Sequence, residues 1–322
     1  MRIAIVTPRP EGAGAPAELA TGNRVTARRW AGVLERLGHT ARLAFEYDGE
    51  PCDLFVALHA RRSHASVRRF RDAYPALPLV VALTGTDLYR DIRVDPDAKE
   101  SLQLATRLVV LQKQGLVELS PEQRAKARVI YQSAEPPDGV IPPAEGEFRV
   151  AVVGNLRPEK DPFRTELAAR ELPASSRIRV FHLGRALAPE MEDGARLASK
   201  ENPRYRWLGE LPYAETRRWI AGSHLLAVTS VMEGSSNSLC EALASSVPVV
   251  ASRIPGLVGT LGEDYPGYFP VGDTRALALL LARAETEAEF YATLRRRCDE
   301  TAYLVRPERE LAAFRDLLAE LC

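Results

Sequence analysis

The chain has 322 residues, enough for two domains that each bury a hydrophobic core. Its 43 basic and 43 acidic residues give a formal net charge of +0, so no overall field draws the protein to nucleic acid or to an anionic membrane. The four cysteines form no Cys-x-x-Cys pair, which argues against a zinc site or a disulfide framework, and no apolar run reaches the roughly 18 residues of a membrane span. We therefore expect a cytoplasmic protein whose first residues form a strand and not a signal peptide.

The first half of the chain alternates short apolar runs with amphipathic helical patterns, which is typical of a doubly wound parallel sheet. A long loop rich in proline and glycine is predicted at 8–21, and the helix after it is predicted to have Asn23 as its N-cap and to end at Gly38. The apolar runs predict strands at 3–6, 41–45, 54–58, 79–83, 108–111 and 129–131.

A proline-rich segment at about 134–147 is predicted to be a linker, because two Pro-Pro pairs and an Asp-Gly turn signal fall within it. The strand pattern restarts after the linker, at 148–154, 178–183, 206–208, 225–229 and 247–251, and the last helices are predicted at 274–281, 287–297 and 307–321. The sequence therefore predicts an α/β protein with two Rossmann-like domains, at 1–146 and 147–305. A C-terminal helix at 306–322 can pack back on the first domain.

The stretch from 224 to 244 carries the most informative pattern in the chain. An apolar strand pattern is followed by a loop of small residues and then by a helical pattern, so backbone N–H groups and a helix dipole should meet an anion there. Glu233 and Glu241, with seven residues between them, are better suited to hydroxyls than to phosphate, and the combination suggests a nucleotide sugar. The other expected ligand contacts in this loop are Gly234, Ser235, Ser236, Asn237 and Ser238.

Two cations, Arg157 and Lys160, follow the first strand pattern of the second half. Fixed cations can stabilise a departing diphosphate without a metal, whereas the alternative is a solvated loop. We expect neither a metal nor a cofactor, because the only close Asp-x-Asp pair, Asp95-Pro96-Asp97, is better explained as a helix cap with Asp97 as the N-cap.

The first half of the chain offers a second candidate site for an anion. Its arginines and asparagine are Asn23, Arg24, Arg28 and Arg29 near a helix N-terminus and Arg61 and Arg62 after a strand. Such a cluster suits a small anion, although exposed arginines can equally serve only solubility. His59 either contacts a ligand or packs, and the other histidines considered, His39, His182 and His224, are expected to be packing or surface residues.

The Glu-x7-Glu spacing, followed by Ala-Leu-Ala and a Pro-Val-Val strand, resembles the donor-site signature of retaining GT4 glycosyltransferases. The stretch at 154–161 is similar to the family's Gly-Arg-Leu…Lys-Gly element. Lys160 lies at the matching place, and Asn155 lies where the family usually has arginine, so Arg157 is expected to substitute for it. The sequence Thr84-Gly85-Thr86-Asp87 resembles the family's His-Gly-x-Asp element, with threonine in place of histidine.

This resemblance implies the GT-B fold, in which two Rossmann-like domains face each other across a cleft. It implies that the first domain binds the acceptor and the second the nucleotide sugar. Lys160 and Arg157 would then stabilise the departing UDP, and Glu233 would bind sugar hydroxyls and support positive charge on the ring. Glu241 would bind the ribose, and Gly154 and Asn155 would line the donor site.

A closer resemblance is to the selenosugar synthase family of selenoneine biosynthesis, through the stretches at 22–27, 58–63, 82–91 and 262–273. That family joins the sugar of a UDP-sugar, typically UDP-N-acetylglucosamine, to selenium from selenophosphate, which implies a functional link to a selenophosphate synthetase. Selenophosphate is already anionic and nucleophilic and needs no base. The resemblance implies an acceptor site formed by Asn23, Arg24, His59, Arg61, Arg62, Thr84, Gly85 and Asp87.

Three other functions share part of these patterns. A generic retaining GT4 enzyme that moves a hexose to a hydroxyl acceptor has the same donor motifs, but it would want a general base and an apolar or open acceptor groove. A non-catalytic UDP-sugar-binding regulator would not need both Lys160 and Glu233. A UDP-sugar epimerase would need an acid and a base near the sugar, which the sequence does not identify.

Overall fold

The computed structural model describes residues 1–9 and 21–321, so most of the loop predicted at 8–21, and Cys322, lie outside the described residues. The chain divides into two compact units. Unit 1 comprises Met1–Ser133 and Pro307–Cys322, and unit 2 comprises Ala134–Arg306.

Unit 1 is built on a parallel sheet of six strands in the order β2-β1-β3-β4-β5-β6. The strands are β1 (Arg2–Val6), β2 (Thr40–Ala44), β3 (Leu54–Leu58), β4 (Leu79–Leu83), β5 (Arg107–Val110) and β6 (Ala127–Val129). Strands β3 and β4 are buried along their whole length, as continuous apolar runs in a parallel sheet should be. All six predicted strands are therefore confirmed, to within two residues at each end.

The helices of unit 1 before the linker region are α1 (Gly22–Arg36), α2 (His64–Ala73), α3 (Ile92–Val94), α4 (Pro96–Leu104) and α5 (Pro121–Ala125). Two predicted caps are wrong. Thr21, and not Asn23, caps α1, since its hydroxyl accepts a hydrogen bond from the Arg24 N–H at 3.3 Å. Asp95, and not Asp97, caps α4, because Pro96 occupies the first helical position and the Asp95 carboxylate accepts from the Ala98 N–H at 2.9 Å.

Unit 2 contains a second parallel sheet of six strands, in the order β12-β11-β10-β7-β8-β9. Its strands are β7 (Phe148–Val153), β8 (Ile178–Leu183), β9 (Tyr205–Gly209), β10 (Leu225–Val228), β11 (Val249–Ser252) and β12 (Tyr268–Phe269). Its helices are α6 (Arg164–Arg170), α7 (Pro189–Glu201), α8 (Tyr213–Ala221), α9 (Asn237–Ala244), α10 (Pro255–Leu261), α11 (Thr274–Thr286) and α12 (Ala288–Thr301). The strand order reverses between β7 and β10, and ligands of such sheets bind at the carboxyl ends of the strands on either side of the reversal.

The proline-rich segment predicted to be a linker is fixed on unit 2. The buried Arg149 donates hydrogen bonds to the carbonyl oxygens of Ile141 at 2.5 Å and Pro142 at 2.7 Å, and its guanidinium carbon lies 4.3 Å from the ring centre of Trp219. Gly222 packs so closely that a Cβ there would be 2.1 Å from the Ile141 carbonyl oxygen. This segment thus forms part of the surface of unit 2.

The last helix, α13 (Pro307–Ala319), packs within unit 1 against α1. The rings of Trp30 and Phe314 meet edge to face with centroids 5.0 Å apart. Glu310 is 1% exposed, and it accepts hydrogen bonds from the Trp30 indole at 2.9 Å, from the Arg29 guanidinium at 3.0 Å and from the Ser133 hydroxyl. A buried carboxylate with three donors fixes α13 in one position.

None of the helices in the part of the chain that the structure describes is both long and apolar enough to cross a membrane.

Candidate active site

The loops that follow β7 and β10 lie at the strand-order reversal of unit 2, and close backbone contacts hold the β7 loop against its neighbour. A Cβ on Gly184, the residue after β8, would be 2.0 Å from the Gly154 carbonyl oxygen, so only glycine permits this approach. His182 Nε2 donates to the same carbonyl oxygen at 3.1 Å, and its Nδ1 accepts from the Tyr205 hydroxyl at 2.9 Å. Burial lowers the pKa of His182 to about 4, which keeps the ring neutral in this role.

The β7 loop is also tied to the loop after β10. The Thr229 hydroxyl lies 2.9 Å from the carbonyl oxygen of Lys160 and 3.0 Å from that of Asp161, and the Val231 N–H donates to the Glu159 carbonyl oxygen at 2.9 Å. Asp161 adopts a left-handed backbone with φ of 44°, which turns the chain directly after Lys160. These contacts bring the side chain of Lys160 to the loop that carries Glu233.

Lys160 and Glu233 form an ion pair between Nζ and Oε1. The Ser230 hydroxyl donates to the same carboxylate oxygen at 2.7 Å, and Glu233 is 7% exposed. A carboxylate this deeply buried needs a cation or several donors to remain charged. The two side chains predicted to contact different parts of one ligand therefore contact each other in this structure.

The backbone at Glu233 is held by the first turn of α10. A Cβ on Gly256 would lie 1.8 Å from the Glu233 carbonyl oxygen, and the Ser252 hydroxyl donates to the Ser230 carbonyl oxygen at 2.5 Å. The loop thus has little room to shift, which is what a site that must hold its ligand in one geometry requires.

Helix α9 begins directly after this loop, as predicted, and Glu241 lies on it with 5% exposure. The Ser236 hydroxyl accepts from the Leu239 N–H at 3.4 Å and contacts the Ser238 hydroxyl at 3.0 Å. Ser236 is therefore the N-cap of α9, and its predicted contact with a ligand stays a prediction. Gly234, Ser235 and Ser238 are buried around it, and Asn237 is half-buried.

Asn155 takes part in the contacts between neighbouring loops. Its side-chain oxygen accepts from the Arg185 N–H at 3.1 Å, and the Leu156 N–H donates to the Arg185 carbonyl oxygen at 2.8 Å. Arg157 and Arg185 are half-buried, and neither guanidinium forms an ion pair with a residue that the structure describes. Sequence reasoning missed Arg185, although a basic residue directly after the glycine that follows β8 was a usable signal.

In unit 1, the loops after β3 and β4 are joined by Asp87, which is fully buried. Its carboxylate accepts hydrogen bonds from the N–H groups of Ala60, Thr84 and Gly85, each at 2.9 Å. The structure thus brings together the predicted residues His59, Thr84, Gly85 and Asp87. It also corrects the role of Asp87, because both of its oxygens are occupied and the side chain positions the loops without reaching a ligand.

Most arginines of the predicted cluster in unit 1 contact other residues of the protein. Arg61 donates to Asp91 at 2.8 Å, Arg62 donates to the Arg9 carbonyl oxygen at 2.5 Å, and the Arg24 guanidinium carbon lies 4.9 Å from the ring centre of Phe45. Arg29 pairs with Glu310 in the contact between α1 and α13. In this structure the buried carboxylates of Glu310 and Asp91 pair with Arg29 and Arg61, and the role of the cluster in binding an anion stays a prediction.

Within residues 1–9 and 21–321, no group of three or more His, Cys, Asp or Glu side chains could hold a metal ion.

Residues 138–305, just over half of the chain, match the family model described as "Glycosyl transferases group 1". Among solved structures, the chain is similar to sucrose-phosphate synthase from Thermosynechococcus elongatus, with 16% identity over 99% of this chain and 98% of that one and a TM-score of 0.80.

Two further solved structures are similar over most of their length. Anabaena HepE in complex with UDP-glucose has 16% identity over 100% of both chains and a TM-score of 0.78. The UDP-forming α,α-trehalose-phosphate synthase from Burkholderia vietnamiensis has 16% identity over 92% of this chain and 78% of that one and a TM-score of 0.67. The predicted fold class, α/β with the two Rossmann-like domains of the GT-B fold, is confirmed.

Proposed function

Because the chain belongs to the group 1 glycosyltransferase family, we propose that it transfers the sugar of a UDP-sugar to the selenium of selenophosphate. The product is a 1-selenosugar for selenoneine biosynthesis, and UDP-N-acetylglucosamine is the proposed donor. UDP as the nucleotide is supported by the structural neighbours named for complexes with UDP and UDP-glucose. Selenium as the acceptor atom is supported by the sequence resemblance and by two residues of unit 1, Thr84 and His59, neither of which offers a general base.

The donor is held by unit 2 at the strand-order reversal. Lys160, Arg157 and Arg185 contact the diphosphate and stabilise the charge that develops as UDP departs. When the donor enters, the pair between Lys160 and Glu233 opens, so that the cation meets a phosphate oxygen and the carboxylate meets sugar hydroxyls. Glu241 binds the ribose hydroxyls, and the backbone N–H groups at the start of α9 face the diphosphate.

The proposed reaction forms one bond and breaks one bond at the anomeric carbon. A lone pair on selenium forms the carbon–selenium bond, and the electron pair of the carbon–oxygen bond leaves with UDP. The first product carries the phosphoryl group on selenium. Water then cleaves the selenium–phosphorus bond to give the selenosugar and inorganic phosphate.

The observation that carries the choice of acceptor is that His59, the histidine near Thr84 in unit 1, cannot act as a base. A hydroxyl acceptor needs a base to take its proton, whereas selenophosphate does not. Thr84 stands where the family has histidine, and the nearby His59 has both ring nitrogens engaged, one with Thr86 and one with the Arg62 N–H. Burial also lowers its pKa, so it is neutral but has no free nitrogen with which to accept a proton.

A panel of acceptors, each assayed separately, tests this proposal. UDP release is followed anaerobically with UDP-N-acetylglucosamine or UDP-glucose as donor and with selenophosphate, thiophosphate, glucose or glucose 6-phosphate as acceptor. We expect rapid release with selenophosphate, slower release with thiophosphate, and release near the rate of donor hydrolysis with the two hydroxyl acceptors. Faster release with either sugar than with selenophosphate contradicts the proposal.

Replacing Glu241 with alanine is expected to raise the donor KM roughly tenfold or more with little change in kcat. The ribose lies away from the reacting bond, so its contacts contribute to ground-state and transition-state binding alike. Steady-state kinetics with varied UDP-sugar measures both constants. Exposed Glu201, on α7, gives the matched control as Glu201→Ala, and an unchanged donor KM in Glu241→Ala refutes the ribose role.

The alternative function is a retaining transfer of a hexose to a sugar hydroxyl. The similarity to enzymes named sucrose-phosphate synthase and trehalose-phosphate synthase favours it. It shares the whole donor site with the proposed reaction, so the acceptor panel above separates the two.

A further inference from the structure

The hydrogen bonds around His59 determine which of its ring nitrogens carries the proton. Nδ1 lies 3.3 Å from the Arg62 nitrogen and accepts that N–H, so in the neutral ring the proton is on Nε2. Nε2 lies 3.0 Å from the Thr86 hydroxyl oxygen and therefore donates to it. Because the Thr86 oxygen accepts this hydrogen bond, its own proton is left to donate elsewhere.

His59 has a strained backbone conformation, which its surroundings hold in place. His59 has φ of 74°, a left-handed conformation that is uncommon outside glycine, and it is 3% exposed. Residues held in such conformations are maintained by their surroundings and occur often at ligand sites. Here the surroundings are the Ala60 N–H bond to Asp87 and the Ser63 N–H bond to the His59 carbonyl oxygen at 3.1 Å.

The charged residues near His59 lie after β3 and after β4. Burial lowers its pKa, Asp87 and Asp91 oppose that shift, and Arg62 and Arg61 add to it. The ring is therefore neutral at neutral pH and acts as a fixed donor to Thr86.

Thr86 is half-buried, and its hydroxyl makes no second hydrogen bond to a residue that the structure describes. We propose that Thr86, oriented by His59, donates a hydrogen bond to a non-bridging oxygen of a tetrahedral oxyanion, and so selects phosphate-type acceptors in unit 1. His59 is a positioning residue in this scheme. This inference rests on the proposed function, and it assigns a contact at 86, next to the residues predicted from the sequence.

The contact at Thr86 affects which atom of selenophosphate is free to react. A hydroxyl donor binds hard phosphoryl oxygens better than a large, polarizable selenium atom. A selenophosphate held by its oxygens at Thr86 keeps selenium uncovered for attack. The same contact holds inorganic phosphate, which allows binding to be measured without turnover.

The test measures inorganic phosphate binding by calorimetry in saturating UDP, so that the diphosphate site is occupied, and the selenophosphate KM in a separate assay. Thr86→Val keeps the shape and removes the donor, Thr86→Ser restores the donor, and Thr40→Val makes the same change on the exposed start of β2. We expect Thr86→Val to weaken phosphate binding roughly tenfold to a hundredfold, the range for one hydrogen bond to a charged group. Thr86→Ser and Thr40→Val should stay within about threefold of wild type, well below that range.

The outcomes separate this inference from the function it rests on. If wild type binds phosphate through Thr86 but does not use selenophosphate, the proposed reaction fails and the anion contact stands. If wild type uses selenophosphate while Thr86→Val has unchanged phosphate affinity and unchanged acceptor KM, the contact is wrong and the reaction stands. Failure of wild type to bind phosphate, or failure of serine to restore binding, also overturns the contact.

Discussion

Replacing Lys160 with alanine is expected to lower kcat roughly a hundredfold to a thousandfold, the loss usually seen when one fixed charge-stabilising donor is removed. The departing UDP is expected to gain negative charge as the sugar bond breaks. Contacts between the β7 and β10 loops hold the backbone at Lys160, whose side chain pairs with Glu233. Single-turnover measurements with saturating UDP-sugar isolate this step from product release. Lys200→Ala, on the exposed end of α7, serves as the matched control.

The same substitution has a second effect, because Lys160 neutralises the buried Glu233 when no ligand is bound. Among the residues that the structure describes, Lys160→Ala leaves that carboxylate with the Ser230 hydroxyl as its one side-chain partner. The melting temperature should therefore fall, and adding Glu233→Gln to Lys160→Ala should recover most of the loss. A kcat within about threefold of wild type, far above the expected range, contradicts the leaving-group role. Equal melting temperatures in the single and double variants contradict the pairing.

Replacing Glu310 with alanine is expected to destabilise unit 1 by about 3–5 kcal/mol, the usual effect of removing one partner of a buried ion pair. Its side chain is fully buried and receives hydrogen bonds from Arg29, Trp30 and Ser133. Removing it leaves the Arg29 guanidinium, whose side chain is 18% exposed, without its ion pair. It also removes the ion pair and the hydrogen bonds that join α13 to α1 and to Ser133, while the apolar contact between Trp30 and Phe314 remains.

Urea unfolding combined with hydrogen exchange measures this effect and locates it. Peptides from α1 and α13 should lose protection in Glu310→Ala, whereas peptides from β7 and β10 should not. Glu308→Ala, at an exposed position in the first turn of the same helix, should change stability by less than about 0.5 kcal/mol. Similar losses in the two variants would show that the buried network does not hold the helix.

Local patterns were sufficient to predict eleven of the twelve described strands, all but the two-residue β12. Strands β3, β4 and β8 match their predicted bounds, because a continuous apolar run between turn residues has few alternatives in a parallel sheet. Helix caps were less predictable. Thr21 and Asn23, like Asp95 and Asp97, are both chemically able to cap, and only the backbone geometry decides which oxygen reaches the free N–H.

The partners of the charged side chains could not be predicted from local sequence. Arg29 meets Glu310, far away in the chain, and Arg61 meets Asp91, so two arginines that the sequence offered to a ligand are already paired. The donor-site loops were predictable as elements, since strand, small residues and helix follow one another. The pair between Lys160 and Glu233 depends on contacts between two loops that only the fold brings together.

Mass spectrometry of the product formed anaerobically from UDP-N-acetylglucosamine and enzymatically generated selenophosphate shows directly whether the enzyme joins selenium to the sugar. Glu233→Gln and Lys160→Ala are run in parallel. We expect a hexosamine with the isotope pattern of selenium, formed by wild type in step with UDP release and strongly reduced in both variants. Donor turnover by wild type that places no selenium on the sugar would contradict this expectation.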